Sequence, residues 1–130
     1  MVVAFTNNVV SGNASVTAGT GTVNGSPTFS GNTMTINLTG VTTAQTITVT
    51  LTGVTDEFSQ VLPDTPISMR VLIGDTNGNA TVNAADVSLT KAQLGQAATG
   101  ANFREDVNAN GVINSADVAL VKAHLGEGIP

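Results

Sequence analysis

Residues 75–86 read Asp-Thr-Asn-Gly-Asn-Ala-Thr-Val-Asn-Ala-Ala-Asp, and residues 106–117 read Asp-Val-Asn-Ala-Asn-Gly-Val-Ile-Asn-Ser-Ala-Asp. Each stretch sets oxygen-bearing side chains at its first, third, fifth, ninth and twelfth positions: Asp75, Asn77, Asn79, Asn83 and Asp86, then Asp106, Asn108, Asn110, Asn114 and Asp117. That spacing lets one short segment wrap a hard cation, since Ca²⁺ takes about six to eight oxygens. A single copy is also what an ordinary Asn/Asp-rich turn looks like. The duplication decides the matter: residues 75–95 and 106–126 align without gaps and are identical at twelve of twenty-one positions.

The expected site is therefore two Ca²⁺ ions, one per loop. Side chains of Asp75, Asn77, Asn79 and Asp86 supply the first, and those of Asp106, Asn108, Asn110 and Asp117 the second. Thr81 and Val112, at the seventh position, supply backbone carbonyls, because Val has no other oxygen to offer. A water is expected near the ninth position. With two carboxylates per loop the affinity should fall at about 10⁻⁴ to 10⁻³ M, the extracellular range. Zinc is disfavoured by the absence of Cys and the single His124, and Mg²⁺ by a shell too neutral to repay its dehydration. The sixth position differs between the copies. Gly111 takes a sharp turn freely, whereas Ala80 takes it with a Cβ at a cost of about 1 kcal/mol, eased if Gly78 shares the distortion. The first loop is thus expected to be the weaker site.

After each loop the pattern predicts a helix, over 84–94 and 115–125, each ending in Leu-Gly with the glycine suited to a helix C′ position. Residues 99–105 are expected to form a short linking helix anchored in the core by Phe103. Val82 and Ile113, apolar at the eighth position, predict a short β contact between the two loops. At 100° per residue, Ala84, Ser88, Lys91 and Gly95 form a stripe flanked by Ala85 and Ala92. Val87, Thr90, Leu94 and Leu89 then fall on the core side. The second helix repeats the stripe as Ser115, Ala119, Lys122 and Gly126, flanked by Ala116 and Ala123. Each copy offers a shallow small-residue platform with one lysine, a candidate partner-binding face.

Upstream the composition changes. Residues 1–55 contain no Asp, Glu, Lys, Arg or His and are rich in Thr, Val, Gly, Asn and Ser. Period-two runs with intervening turn residues predict strands near 2–6, 14–18, 21–24, 27–30, 33–38, 46–51 and 67–73. Asn24-Gly25 and Ser30-Gly31-Asn32 are expected hairpin turns. With Trp and Tyr absent and four Phe, the core rests on aliphatic side chains. Small antiparallel strands at this spacing suggest an all-β sandwich of immunoglobulin-like type over 1–73. Residues 30–70 also resemble the late part of bacterial immunoglobulin-like repeat domains. Ile67–Ile73 runs into Gly74-Asp75 without a Gly/Ser or Pro-rich spacer, so a stiff junction between 1–73 and 74–130 is expected.

The same composition bounds function. A net charge of −5 with four scattered basic residues does not suit a phosphate backbone, so nucleic acid is not an expected partner. No apolar run spans a bilayer and no basic amphipathic face suits a membrane surface. Met1 is followed by no charged leader region or cleavage site, so no signal peptide is read in the chain. His124 pairs with no recognisable nucleophile, and Asp56-Glu57 lies in one loop without the aromatic subsites that sugars use. Asn13-Ala-Ser15, Asn37-Leu-Thr39 and Asn79-Ala-Thr81 match the glycosylation pattern, which an Asn/Thr-rich chain produces by chance. An enzyme is not expected.

Gly74-Asp75-Thr-Asn77-Gly-Asn79-Ala-Thr-Val82-Asn83-Ala-Ala-Asp86, with its second copy and the Leu-Gly ending of each repeat, closely resembles the type I dockerin domain. The likeness covers about 74–130. It implies an all-α pair of calcium loop-helix repeats with a short linking helix, lacking the entering helix of a true EF-hand, as the strand-like Val71-Leu72-Ile73 fits. It also implies a cohesin-like partner contacted through positions 84, 85, 91, 92, 115, 116, 122 and 123, and an extracellular, cellulosome-like setting. The Ser-Thr pair common in cellulosomal members is Ala84-Ala85 and Ser115-Ala116 here, which points away from the familiar cohesins. The near two-fold repeat suggests that either helix presents to the partner. The expected protein is thus a monomer of two modules, in which a calcium-dependent docking module anchors a secreted protein. The alternative is a calcium-stabilised cap or stalk with no external partner, closed by Ile129-Pro130 returning toward Ile67 or Met69.

Overall fold

The computed structural model describes residues 1–129. It divides into two compact units, Met1–Met69 and Arg70–Pro130. The first unit is built from eight strands: β1 (Val2–Ala4), β2 (Val9–Ala18), β3 (Thr22–Val23), β4 (Thr28–Ser30), β5 (Thr33–Thr35), β6 (Leu38–Thr39), β7 (Gln45–Asp56) and β8 (Thr65–Val71), the last running two residues past Met69. They form sheets ordered β1-β5-β4, β2-β7-β8 and β3-β6. Period-two alternation places Met34, Ile36, Val49 and Leu51 in the core, each at most 1% exposed. The opposite face carries hydroxyls that satisfy one another, as in Thr17 with Thr50 and Thr48 with Ser68, each at 2.8 Å.

Strand boundaries depart from the sequence expectation where the chain changes partners. Residues 33–38, expected as one strand, are split. β5 pairs with β1 and β4, and β6 pairs with β3. Between them the Ile36 amide donates to Met1 O and the Asn37 carbonyl accepts from Asn24 N. The alternation of buried residues runs through this switch, so periodicity alone does not show it. β2 begins five residues earlier than Ala14, and its ladder with β7 slips at Val9/Ser11, Ser11/Asn13 and Val16/Ala18. Gly12 lies on this slipped stretch, where a Cβ would sit 2.9 Å from Val54 Cγ2. Gly31-Asn32 closes the β4–β5 hairpin, with Ser30 opposite Thr33. Asn24-Gly25 does not close a hairpin, because β3 and β4 pair elsewhere.

The second unit overturns the all-α expectation. Among the described residues strand outweighs helix, and the helices are two nine-residue segments, α1 (Ala84–Ala92) and α2 (Ser115–Ala123). Loops and isolated β-bridges make up the rest of the described unit beyond the end of β8. The linking helix is absent. Asn102 Oδ1 accepts from both the Thr99 amide and the Thr99 hydroxyl, a local arrangement that competes with helical hydrogen bonding. Residues 99–105 are a run of turns, and Phe103 is 60% exposed instead of anchoring the core. Both helices also stop two residues short of the expected Leu. Leu94 N and Leu125 N reach back only three residues, to Lys91 O and Lys122 O, before Gly95 and Gly126 turn at positive φ.

The core of this unit is small. Val82, Val87, Val118 and Val121 are buried together, with Leu72 and Val107 packed against them, and Ile113 is fully covered. Leu89 and Leu94, expected inside, are 41% and 45% exposed, whereas Val87 and Thr90 are buried as the helical stripe requires.

Candidate metal centre and helix face

Each helix starts with a capping box whose members belong to the preceding loop. Asn83 Oδ1 accepts from Ala85 N while Asp86 Oδ2 accepts from Asn83 N. Asn114 and Asp117 repeat this at α2. The ninth-position asparagines therefore spend their oxygens on the helix N-termini. The pattern Asn-x-x-Asp before an apolar run could have signalled this role from sequence. The twelfth-position carboxylate is fixed twice over, by the cap and by its loop. Asp86 Oδ1 accepts from Thr76 N and Asn77 N, and Asp117 Oδ1 accepts from Asn108 N.

The remaining ligand candidates share one hydrogen-bond frame in the two copies. Asp75 Oδ1 accepts from Gly78 N and Asn79 N, and its Oδ2 from Ala80 N. Asp106 Oδ1 accepts from Asn110 N and its Oδ2 from Gly111 N. Asn77 Oδ1 takes the Asn79 amide, and Asn108 Oδ1 the Asn110 amide. Asn79 Oδ1 takes Thr81 N, and Asn110 Oδ1 takes Val112 N. The loop amides thus aim the side-chain oxygens along one curved segment in each repeat. Among the described residues no three His, Cys, Asp or Glu side chains gather at one point.

Burial tests whether a cation suits these residues. Asp86 and Asp117 are 0% exposed, and neither has a Lys, Arg or His within ion-pair distance among the described residues. A buried carboxylate without a countercharge is costly. A hard divalent cation beside carboxylate, amide and carbonyl oxygens supplies that countercharge, so the donor set fits Ca²⁺.

The expected inequality of the loops is not supported. Ala80 does adopt positive φ, at 70°, with Gly111 at 89°. But the fourth position also turns the same way, at 75° in Gly78 and 55° in Ala109. Each loop carries one glycine and one alanine in the left-handed region, in opposite order. Sequence reasoning noted Ala80 and missed Ala109, its counterpart. The loops differ in their hydrogen-bond partners: Gly78 N donates to Asp75 Oδ1, whereas Ala109 N donates to Asp106 O. Thr76, 4% exposed, sets its hydroxyl 3.4 Å from Asp86 Oδ1 and from Asp86 O, where the second repeat has Val107.

The two loops do not pair with each other. Loop one pairs with the segment after α2: Val82 N donates to Glu127 O, Gly126 N to Val82 O, and Ile129 N to Ala80 O. Loop two pairs with the segment after α1, through Ile113 N to Gln96 O, Gly95 N to Ile113 O and Ala98 N to Gly111 O. Ile129 thus runs along loop one, and Pro130 lies outside the described residues. The burial of Val82 and Ile113 follows from these crossed straps. Glu127 on the first strap also holds His124 Nδ1 at 2.9 Å.

All ten residues of the candidate face are exposed: Ala84, Ala85, Ser88, Lys91 and Ala92 on α1, and Ser115, Ala116, Ala119, Lys122 and Ala123 on α2. No helix among the described residues is long and apolar enough to cross a membrane. No curated protein and no solved structure matches the chain. Residues 1–72 carry no family match that bears on an immunoglobulin-like assignment, although their β-rich structure is consistent with a sandwich. Residues 73–126 match the family model described as the dockerin type I domain, so this part of the chain, with both loops and both helices, is similar to a calcium-binding, non-catalytic docking module.

Proposed function

We propose that this protein uses its dockerin-like part as a calcium-dependent docking module that anchors a secreted protein to a cohesin-like domain. The observation that carries the reading is the dockerin match over two loops with the same hydrogen-bond frame. In this reading Asp75, Asn77, Asn79, Asp86 and the Thr81 carbonyl hold one Ca²⁺. Asp106, Asn108, Asn110, Asp117 and the Val112 carbonyl hold the other. The ions fix the loops, and the capping boxes carry that order into α1 and α2, whose exposed Ala/Ser/Lys platforms meet the partner. The small side chains suit close approach of a flat partner surface, and Lys91 and Lys122 offer one charge-assisted contact each. The module acts outside the cell as a monomer.

The test is capture on the immobilised chain, with calcium and with EDTA, followed by identification of the retained domain. Capture of a cohesin-like domain that EDTA abolishes is the expected result. No such capture, together with a large EDTA-induced fall in melting temperature, would refute docking and leave a calcium-stabilised cap or stalk.

A further inference from the structure

The chain has two arginines, Arg70 and Arg104, and both line one cleft of about 500 Å³ in the second unit. That volume lies in the range of small-ligand sites. The guanidinium of Arg104 lies against Gly78, where any Cβ would collide with its Nη1, and stands 5.9 Å from the centre of the Phe103 ring. Glycine at the fourth position of loop one therefore leaves room for this head group. Neither arginine makes an ion pair among the described residues. Asp75 and Asp106 also border the cleft, but their carboxylate oxygens are turned to the amides of their own loops. Leu72, Phe103 and Val107 supply an apolar wall.

We propose that this cleft binds a carboxylate carried on an apolar or aromatic body. A guanidinium fork matches two coplanar oxygens, and among the described residues no carboxylate lies within ion-pair distance of either fork. The half-exposed Phe103 ring and the aliphatic wall receive the rest of the ligand, which a bare phosphate would leave unused. The site is separate from the helix platforms and does not depend on docking.

Benzoate titrated into the full chain in calcium-containing buffer, followed by NMR, is the test. Shifts confined to the cleft residues Arg70, Leu72, Phe103, Arg104 and Val107 are expected. R70Q and R104Q should each weaken binding about tenfold, the loss of one charged hydrogen-bonding group, and the double variant should abolish it. K91Q/K122Q removes the same charge elsewhere and should bind as the parent does. Parent-like binding by R70Q/R104Q, an equal loss in K91Q/K122Q, or inorganic phosphate binding as tightly would each overturn the proposal. If R70Q/R104Q melts early, R70K/R104K keeps both charges and removes the forks. Parent-like benzoate affinity there would overturn it too.

Discussion

Gly111→Ala tests whether the two loops carry matched backbone strain. Gly111 sits at φ 89° with no heavy atom within 4 Å of the place a Cβ would occupy. The substitution therefore causes no collision, and its cost is conformational alone. An L-residue in the left-handed region costs about 1–2 kcal/mol. Reduced freedom of the unfolded chain returns about 0.4–1 kcal/mol. The net loss should be about 1 kcal/mol, or roughly a fivefold fall in Ca²⁺ affinity if the loop is ordered only when loaded. Calorimetric titration of the full chain reads this directly, and the loss should fall on one of two binding events. Ala109→Gly in the same loop restores one glycine and one alanine. Because Ala109 is exposed, no packing is lost, and the double variant should recover most of the affinity. If G111A binds both ions as the parent does, or if A109G fails to rescue it, strain at the fourth and sixth positions does not set affinity.

Ile129→Pro removes the amide that donates to Ala80 O at 3.0 Å; loss of one such bond costs about 0.5–1.5 kcal/mol, and the weakened calcium event should be that of the first loop, checked by combining I129P with Asp106→Ala. Lys91→Ala or Lys122→Ala alone should change partner affinity little if either helix presents, and the double variant should lose it. Binding abolished by one single variant would exclude dual presentation. The Asp56 carboxyl is held below its usual range chiefly by the Asn7 amide at 2.7 Å, helped by the Gln60 and Phe58 amides. A depressed folded value contributes stability that is full above the unfolded value of about 3.9 and is lost as pH falls through the folded one. Asn7→Ala should therefore flatten the acid side of the melting profile below about pH 4 and leave the two profiles parallel at neutral pH.

Much of the loop geometry was legible because residue spacing is a local property. Asp75 through Asp86 needs only its own backbone to bring its oxygens into one frame, and the second copy removed the ambiguity of the first. The capping boxes were equally local and equally readable, although the loop reading assigned Asn83 and Asn114 no helix-capping role. Elsewhere the information was not local. Met34, Ile36 and Leu38 alternate without interruption across a change of sheet, since both sheets need the same face inward. Phe103 looked like a core residue because it is large and apolar. Its neighbours Gly100 and Asn102 favour turns, and those turns leave the ring in solvent beside Arg104. Ala109 was missed because left-handed alanine has no sequence signature, and only its pairing with Gly78 would have hinted at it.

The crossed straps explain why the repeats work as a pair. Loop one keeps its eighth position by bonding to the chain that follows α2, and loop two by bonding to the chain that follows α1. Neither eighth position is paired with its own helix. An isolated repeat would leave Val82 or Ile113 uncovered and their amides and carbonyls without partners, a loss that so small a valine core cannot absorb. Ordering one loop also holds the segment that leaves the other repeat's helix. The twelfth-position aspartates tie each loop to the start of its own helix, and the straps tie the end of that helix to the opposite loop. Loop, helix and strap therefore form a closed circuit through both repeats. Calcium entering either loop should stiffen both platforms together.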